Sequence, residues 1–243
     1  MPEEPHPDAL DSQRVVITGD HDLARGLADG LRRTNGTARV TILGGADAPC
    51  SFDSESAVQT GLHDAAEGLG GGPGVDQLIH AWYPPALLAG AKFVDLDEAS
   101  WAGACERSLQ VGWWTARHAL DLLRPSQGSM VFVVPTLGMS GAAGYAMLAT
   151  VAEALRGLAK GCGRQWGAHG VTVNTIAIAP HLLVGDDAGG ELSRAVSLSN
   201  PALGGPGDPA QDLAPLIHLL AGKDAHFLTA STLVADGGLW MGL

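Results

Sequence analysis

The sequence has no long apolar run: none reaches the roughly 20 residues that a membrane-spanning helix needs. Its first residues, MPEEPHPDALDSQR, are acidic and contain prolines. Signal peptides and transit peptides are instead positively charged, and signal peptides also carry an apolar stretch. We therefore predict a cytoplasmic protein with no membrane partner, whose residues 1–12 form a disordered lead.

Positive charge is also scarce. The 243 residues carry 14 Lys and Arg against 26 Asp and Glu, for a net charge of −12. Proteins that bind nucleic acid neutralise phosphates with clustered Lys and Arg, so this balance argues against a nucleic-acid partner.

Cysteine is rare. Cys50, Cys105 and Cys162 do not have the spacing of metal ligands, and the nine histidines are scattered. We expect free thiols and no metal site. The absence of a Gly-x-Ser-x-Gly turn also leaves a serine hydrolase unsupported.

What is present is an alternation of apolar, β-branched runs with helical patterns. The runs predict seven strands, at 14–20, 38–45, 48–52, 75–83, 128–135, 171–180 and 231–238. The helical patterns lie between them, and Asp53 or Ser54 is a candidate N-cap. This order predicts an α/β protein in which residues 13–243 form one doubly wound, Rossmann-like domain. Its sheet is mainly parallel, with helices on both faces.

Four stretches resemble the short-chain dehydrogenase/reductase family: VVITGD, LDEASWAGACERSLQVGWWTARHALDLLRP, ALRGLAKGCGRQWGAHGVTVNTIAIAP and TLVADGGLW. The resemblance implies a Rossmann-type fold and a reductase that holds NAD(P) on the first strand, turn and helix. Members of the family transfer a hydride with a serine, a Tyr-x-x-x-Lys pair and an asparagine.

The family's catalytic positions carry other residues in this chain. Aligned through GRQWGAHGVTVN, they fall on Gln110 for the asparagine, Pro135 for the serine, Leu148 for the tyrosine and Ala152 for the lysine. A slipped register uses Tyr145 as the tyrosine but puts Ala149 at the lysine position. A phenol without a neighbouring ammonium keeps a pKa of about 10 and is a poor acid near neutrality. The resemblance therefore predicts no catalytic residue at these positions.

The family's phosphate-binding turn, TG-x-x-x-G-x-G, reads TGDHDLARG here. Gly19 is retained, but Leu23 and Arg25 stand at the other two glycine positions. Asp20 and Asp22 add negative charge where phosphates are expected. We therefore predict that the chain binds no NAD(P) and needs no cofactor.

Polar and aromatic residues follow several of the predicted strands, and they define a candidate remodelled pocket. The set comprises His80, Trp82, Tyr83, Thr136, Met139, Tyr145 and His181. These residues either line a pocket with a histidine and tyrosine acid–base pair or fill the space of an absent cofactor.

The function predicted from this pattern is a catalytically silent, dehydrogenase-like subunit that assembles with an active relative. Self-association into a dimer or tetramer is the other assembly considered. Two alternatives stay open. One is an enzyme of altered, cofactor-independent chemistry, such as a cyclase, dehydratase or isomerase, and the other is an NAD(P)-dependent oxidoreductase whose motifs have drifted.

Overall fold

The computed structural model describes residues 12–184, 201–205 and 207–241. Within these ranges the chain forms one parallel sheet of six strands in the order β2-β1-β3-β4-β5-β6. The strands are β1 (Arg14–Thr18), β2 (Arg39–Leu43), β3 (Gln77–His80), β4 (Ser129–Pro135), β5 (Thr172–Ile178) and β6 (Thr232–Ala235). The α/β fold with a parallel sheet is thus confirmed.

The strand predicted at 48–52 is not formed, so the described sheet has six strands rather than seven. Ala48 makes a single bridge to Leu43, the last residue of β2. Pro49 follows and has no N–H to offer a ladder, and Phe52 adopts a left-handed φ of 53°. The segment therefore turns inward, and the Phe52 side chain is buried.

Eight α-helices connect or follow the strands of the described chain. They are α1 (Asp22–Thr34), α2 (Glu55–Gly68), α3 (Pro85–Leu88), α4 (Glu98–Ser100), α5 (Arg107–Leu123), α6 (Leu137–Ser140), α7 (Ala146–Trp166) and α8 (Ala214–Ala221). Wider, π-type turns at Trp101–Glu106 and Pro209–Leu213 lead into α5 and α8. No described helix combines the length and apolar character needed to cross a membrane.

The helices cover both faces of the sheet. On one face α1 packs against α8, and on the other α5 contacts both α2 and α7. The approaches are close: a Cβ on Gly30 of α1 would lie 2.5 Å from the Cβ of Ala214 in α8. Ser54 caps α2 by accepting a hydrogen bond from the Ala57 N–H, which confirms one of the two predicted N-caps.

The order of the strands reverses beside β1. From β1 the chain crosses to β2 on one side and then returns to β3 on the other. Connections that leave in opposite directions open a crevice at the carboxyl ends of the strands, where doubly wound folds bind ligands. The turns after β1, β2 and β3 therefore face one another.

The predicted lead at 1–12 lies outside the described residues except for Ser12. The grouping of 13–243 into one domain stays a prediction. Residues 185–200, which fall within that range, are also outside the described part of the chain.

Candidate functional site

A cleft of about 550 Å³ opens at the crevice beside β1. This volume lies within the range of about 300–1,000 Å³ that is typical of small-molecule sites. Its walls are mostly apolar and come from the ends of four strands. The lining residues are Asp20, His21, Gly44, Cys50, Ser51, Phe52, Trp82, Tyr83, Pro84, Pro85, Leu88, Ala89, Leu183 and Val184.

The turn after β1 brings backbone close to the floor of this cleft. Gly19 has a φ of 114°, and a Cβ there would lie 3.0 Å from the Ala81 carbonyl oxygen. A side chain at this position would be both strained and crowded. Glycine is therefore favoured at this position because the turns after β1 and β3 nearly touch.

His21 closes the turn and caps α1. Its Nδ1 accepts a hydrogen bond from the Ala24 N–H at 3.4 Å, so its Nε2 carries the proton that is donated to the Ala81 carbonyl at 2.5 Å. Burial lowers the pKa of His21 below its usual value, against the opposing effect of the Ala81 hydrogen bond. The side chain is therefore a neutral imidazole near neutral pH.

The two aspartates of the turn are paired. Arg25 lies 2.6 Å from an oxygen of Asp20 and 3.0 Å from an oxygen of Asp22. The three exposed groups together carry one net negative charge rather than two. The turn therefore repels an anion less than its sequence indicated. The positive end of the α1 dipole attracts an anion.

Aromatic side chains form one wall of the cleft. The rings of Phe52 and Trp82 lie 5.3 Å apart between centroids and are tilted by 36°. Tyr83 is buried, and its hydroxyl donates to the Val133 carbonyl of β4 at 2.6 Å. Burial raises the pKa of Tyr83 far above that of a free phenol, so this side chain is a neutral anchor.

His80 does not reach the cleft. It is still within β3 and is fully buried, with its Nδ1 3.0 Å from the Thr18 hydroxyl and its ring edge toward Phe132. Among the described residues, its Nε2 has no hydrogen-bond partner. Burial lowers the pKa of His80 to about 3, so the ring is neutral at all physiological pH values.

The positions aligned with the family's catalytic residues do not meet in a cavity. Gln110 is exposed on α5 and Pro135 is buried at the end of β4. Leu148 and Ala152 are fully buried on α7. Ala152 packs against α6, because a Cβ on Gly138 would lie 2.9 Å from the Cβ of Ala152. This end of the sheet edge is filled by packing.

The other pocket candidates lie around that packed end. Thr136 is buried and its N–H donates to the Ile178 carbonyl. Tyr145 is buried directly before α7, where its hydroxyl would lie 3.5 Å from a Cβ on Gly90. Met139 is half-buried.

His181 is also half-buried, and burial lowers its pKa. It lies two residues before Leu183, which lines the cleft. Of the seven candidates, Trp82 and Tyr83 line the cleft itself.

The sequence did not single out His21, Cys50, Phe52 or the Leu183–Val184 wall. The position of His21 directly before an acidic helical first turn is typical of an N-cap and is a signal for it. The inward turn of Phe52 depends on a left-handed φ, which nothing in its residue type indicates. No group of three or more potential metal ligands occurs among the described residues.

Comparison with known proteins identifies the family. A family model described as enoyl-(acyl carrier protein) reductase matches residues 19–240. The chain is 29% identical over 149 residues to a 3-oxoacyl-(acyl-carrier-protein) reductase of Vibrio cholerae, a stretch covering 60% of each protein. It is 24% identical over 135 residues to a 12α-hydroxysteroid dehydrogenase of a Clostridium species, covering 54% of this chain and 51% of that one. The matched stretches thus span half to three fifths of these relatives.

Solved structures agree on the fold. A dehydrogenase/reductase from Sinorhizobium meliloti superimposes with a TM-score of 0.77 at 21% identity, over 95% of this chain and 97% of that one. A double mutant of a Serratia marcescens short-chain dehydrogenase/reductase gives a TM-score of 0.72 at 18% identity, over 95% and 99%.

These relatives overturn two predictions. The catalytically silent subunit is wrong, because the homologues are named as active reductases and dehydrogenases. The absence of a cofactor is wrong, because such homologues use NAD(P)H. The prediction of an active relative as partner depended on the silent subunit, so it no longer has support. Homologues commonly form homo-oligomers. The family model covers most of the described residues. The chain belongs to the short-chain dehydrogenase/reductase family.

Proposed function

We propose that this protein is an NAD(P)-dependent oxidoreductase that converts a carbonyl group to a secondary alcohol or the reverse. The observation that carries the proposal is the cleft of about 550 Å³ at the point where the strand order reverses. This is the place at which doubly wound folds bind dinucleotides. The names of the relatives, a 3-oxoacyl thioester reductase and a hydroxysteroid dehydrogenase, support the carbonyl and alcohol chemistry.

The residues present fit a dinucleotide in place, size and backbone shape. Gly19 gives the close backbone approach that a diphosphate requires, and the N-terminus of α1 begins beside it. The half-buried Trp82 supplies an aromatic face for a base, since purines stack readily on such rings, and Phe52 packs against Trp82. Val184 belongs to the opposite, apolar wall.

When bound, the nicotinamide would supply or accept the hydride. The chain's part is to hold the ring, to exclude water and to handle the proton at the substrate oxygen. The apolar walls of the cleft serve the first two tasks. A carbonyl substrate with an apolar chain suits such walls better than a highly charged one.

We propose that the proton passes through His181 rather than through a Tyr-x-x-x-Lys pair. Leu148 and Ala152 stand where that pair is expected, and both side chains are apolar. His181 is half-buried and lies two residues before Leu183, which lines the cleft, and burial lowers its pKa. An imidazole in such a setting can donate and accept a proton near neutral pH. Gln110, Pro135, Leu148 and Ala152 then have structural roles only.

Tyr145, Thr136 and Met139 would support this end of the site as packing residues, because two of them are buried and the third is half-buried. We further propose that the protein forms a homo-oligomer, as its homologues commonly do. Trp113 of α5 is 48% exposed, and aromatic side chains are frequent anchors of interfaces. Light scattering of the purified chain would measure the oligomeric state.

The test of the proposed function is calorimetric titration with NADH and with NADPH. Wild type should bind at least one of them with a Kd below about 1 mM, or about 4 kcal/mol of binding free energy. Ala89→Trp should weaken binding at least tenfold, because Ala89 is exposed and its side chain would fill the cleft.

Ala86→Trp is the matched control. Ala86 is exposed on the short helix α3, which ends directly before Ala89, but it does not line the cleft, so binding should be unchanged. If folded wild-type protein binds neither dinucleotide, or if both tryptophan variants bind as wild type does, the proposal is wrong.

A further inference from the structure

We infer that His21 is a positioning residue for the dinucleotide, because its imidazole joins the turn after β1 to the turn after β3 and so fixes the shape of the cleft between them. The inference rests on the proposed function and adds one residue to it. His21 lines the cleft. In the aligned phosphate-binding turn it stands between Gly19 and Leu23, where the family pattern sets no residue type.

The two turns meet at Ala81. Its N–H donates to the Thr18 hydroxyl at 3.3 Å, and its carbonyl accepts from His21 Nε2 at 2.5 Å. Gly19 lies directly against the same carbonyl, because a Cβ on it would be 3.0 Å from the Ala81 oxygen and 3.2 Å from His21 Nε2. Side chains from the end of β1 and from its turn therefore hold both backbone polar groups of Ala81.

The two nitrogens of the His21 ring make different contacts. Nδ1 accepts from the Ala24 N–H at 3.4 Å and caps α1, which is a contact within one helical turn. Nε2 bonds to Ala81, which is 60 residues away in the sequence. The second contact is the one that connects two walls of the cleft.

Trp82 links this contact to the ligand, since it follows Ala81 directly and lines the cleft. Ala81 is fully buried, so a carbonyl that loses its bond to His21 has no solvent to replace the donor. The backbone before Trp82 would then shift or keep an unsatisfied acceptor. A turn that is loose in the free protein has to be ordered when the ligand binds, and this weakens binding.

Two amide variants separate the two contacts of the ring. Asn is a favoured N-cap, so His21→Asn keeps an acceptor near the place of Nδ1, but its side chain is too short to reach Ala81. Gln is one methylene longer, and its amide N–H can take the place of the Nε2–H. His21→Gln therefore keeps the contact with Ala81.

The experiment is calorimetric titration of wild type and both variants with NADH or NADPH, whichever wild type binds more tightly. Urea denaturation establishes that each variant is folded. We expect His21→Asn to raise the Kd about tenfold and His21→Gln to stay within about twofold of wild type. A purely structural role would not give this pattern, because a modest loss of stability leaves nearly all molecules folded and their Kd unchanged.

Ser54→Ala is the matched control. Ser54 caps α2 as His21 caps α1, by accepting from the Ala57 N–H at 3.3 Å, but it does not line the cleft. This variant should have a lower urea midpoint and the same Kd as wild type.

A measurement on wild type tests the contact without any substitution. A long-range proton–nitrogen NMR spectrum should show the proton of the neutral His21 ring on Nε2, because only that tautomer donates to the Ala81 carbonyl. A proton on Nδ1 would overturn the inference.

Two further results would overturn the inference alone: a folded His21→Asn variant that binds the dinucleotide as wild type does, or a His21→Gln variant as weak as His21→Asn. Failure of the folded wild type to bind either dinucleotide would overturn the proposed function and this inference with it.

Discussion

The two ends of the same sheet edge have opposite characters. Beside β1 and β3 the edge is open, with a cleft whose turn keeps Gly19 and whose charges are balanced by Arg25. Beside β4 and β5 the edge is closed, because α6 lies against the face of α7 that carries Leu148 and Ala152. The open end is where we propose that a dinucleotide binds, and the closed end holds apolar side chains at the positions aligned with the family's tyrosine and lysine.

The largest effect should follow a charge placed into the closed end. Ala152→Lys puts an ammonium at a fully buried site against Gly138. We expect a loss of about 4 kcal/mol or more of unfolding free energy, because the apolar surroundings do not compensate the buried charge. Urea denaturation measures it.

Ala149→Lys, three residues earlier on the same helix, is the control for that change. Ala149 is half-buried, so the long side chain can reach water and the cost should be below about 1 kcal/mol. Equal losses in the two variants would contradict the filled packing of this end.

A second prediction separates catalysis from binding at the boundary between the two ends. His181→Gln keeps a polar side chain but removes the titrating ring. We expect kcat for reduction of a 3-oxoacyl thioester to fall about 100-fold, the usual contribution of a general acid, with the Kd for NADH unchanged. The decline of activity toward high pH, where the imidazolium gives up its proton, should also disappear from the pH–rate profile.

His169→Gln, at an exposed histidine outside the site, should behave as wild type. A variant of His181 that keeps its full kcat would exclude this residue as the proton carrier.

A third prediction concerns His80, which lies beneath the open end. Its pKa is about 3 in the folded protein, against 6.5 for a histidine that is exposed to water, as in the unfolded chain. As the pH falls, His80 therefore binds a proton in the unfolded chain before it does so in the folded protein. The contribution of the neutral ring to folding stability is fully present above pH 6.5 and is lost as the pH falls toward 3. Between about pH 7 and about pH 5, wild type should lose about 2 kcal/mol more unfolding free energy than His80→Asn. Parallel pH dependences for the two proteins would contradict the buried, neutral assignment.

Much of the fold could be predicted from sequence because buried parallel strands are continuous apolar runs, as RVVIT and SMVFVVP are. The segment at 48–52, APCSF, was also predicted as a strand, but it contains Pro49 and a left-handed Phe52, and both prevent a ladder. The second of these is a backbone state that arises from tertiary packing.

The site was less predictable for two physical reasons. His80 and Trp82 are neighbours in sequence, yet the first is still in the sheet under helices and the second lies past its end. The pairing of Arg25 with Asp20 and Asp22 depends on how α1 begins, and it changes an apparently repulsive turn into a nearly balanced one. The sequence shows that Leu148 and Ala152 stand at the family's tyrosine and lysine positions. It does not show that α6 packs against this part of α7.

The most direct measurement is a crystal structure of the protein soaked with NADH. We expect continuous density along the cleft, with the base against the Trp82 ring and the nicotinamide end toward Val184. A cleft without bound dinucleotide at saturating NADH, or a dinucleotide bound at a different surface, would contradict the proposed binding site.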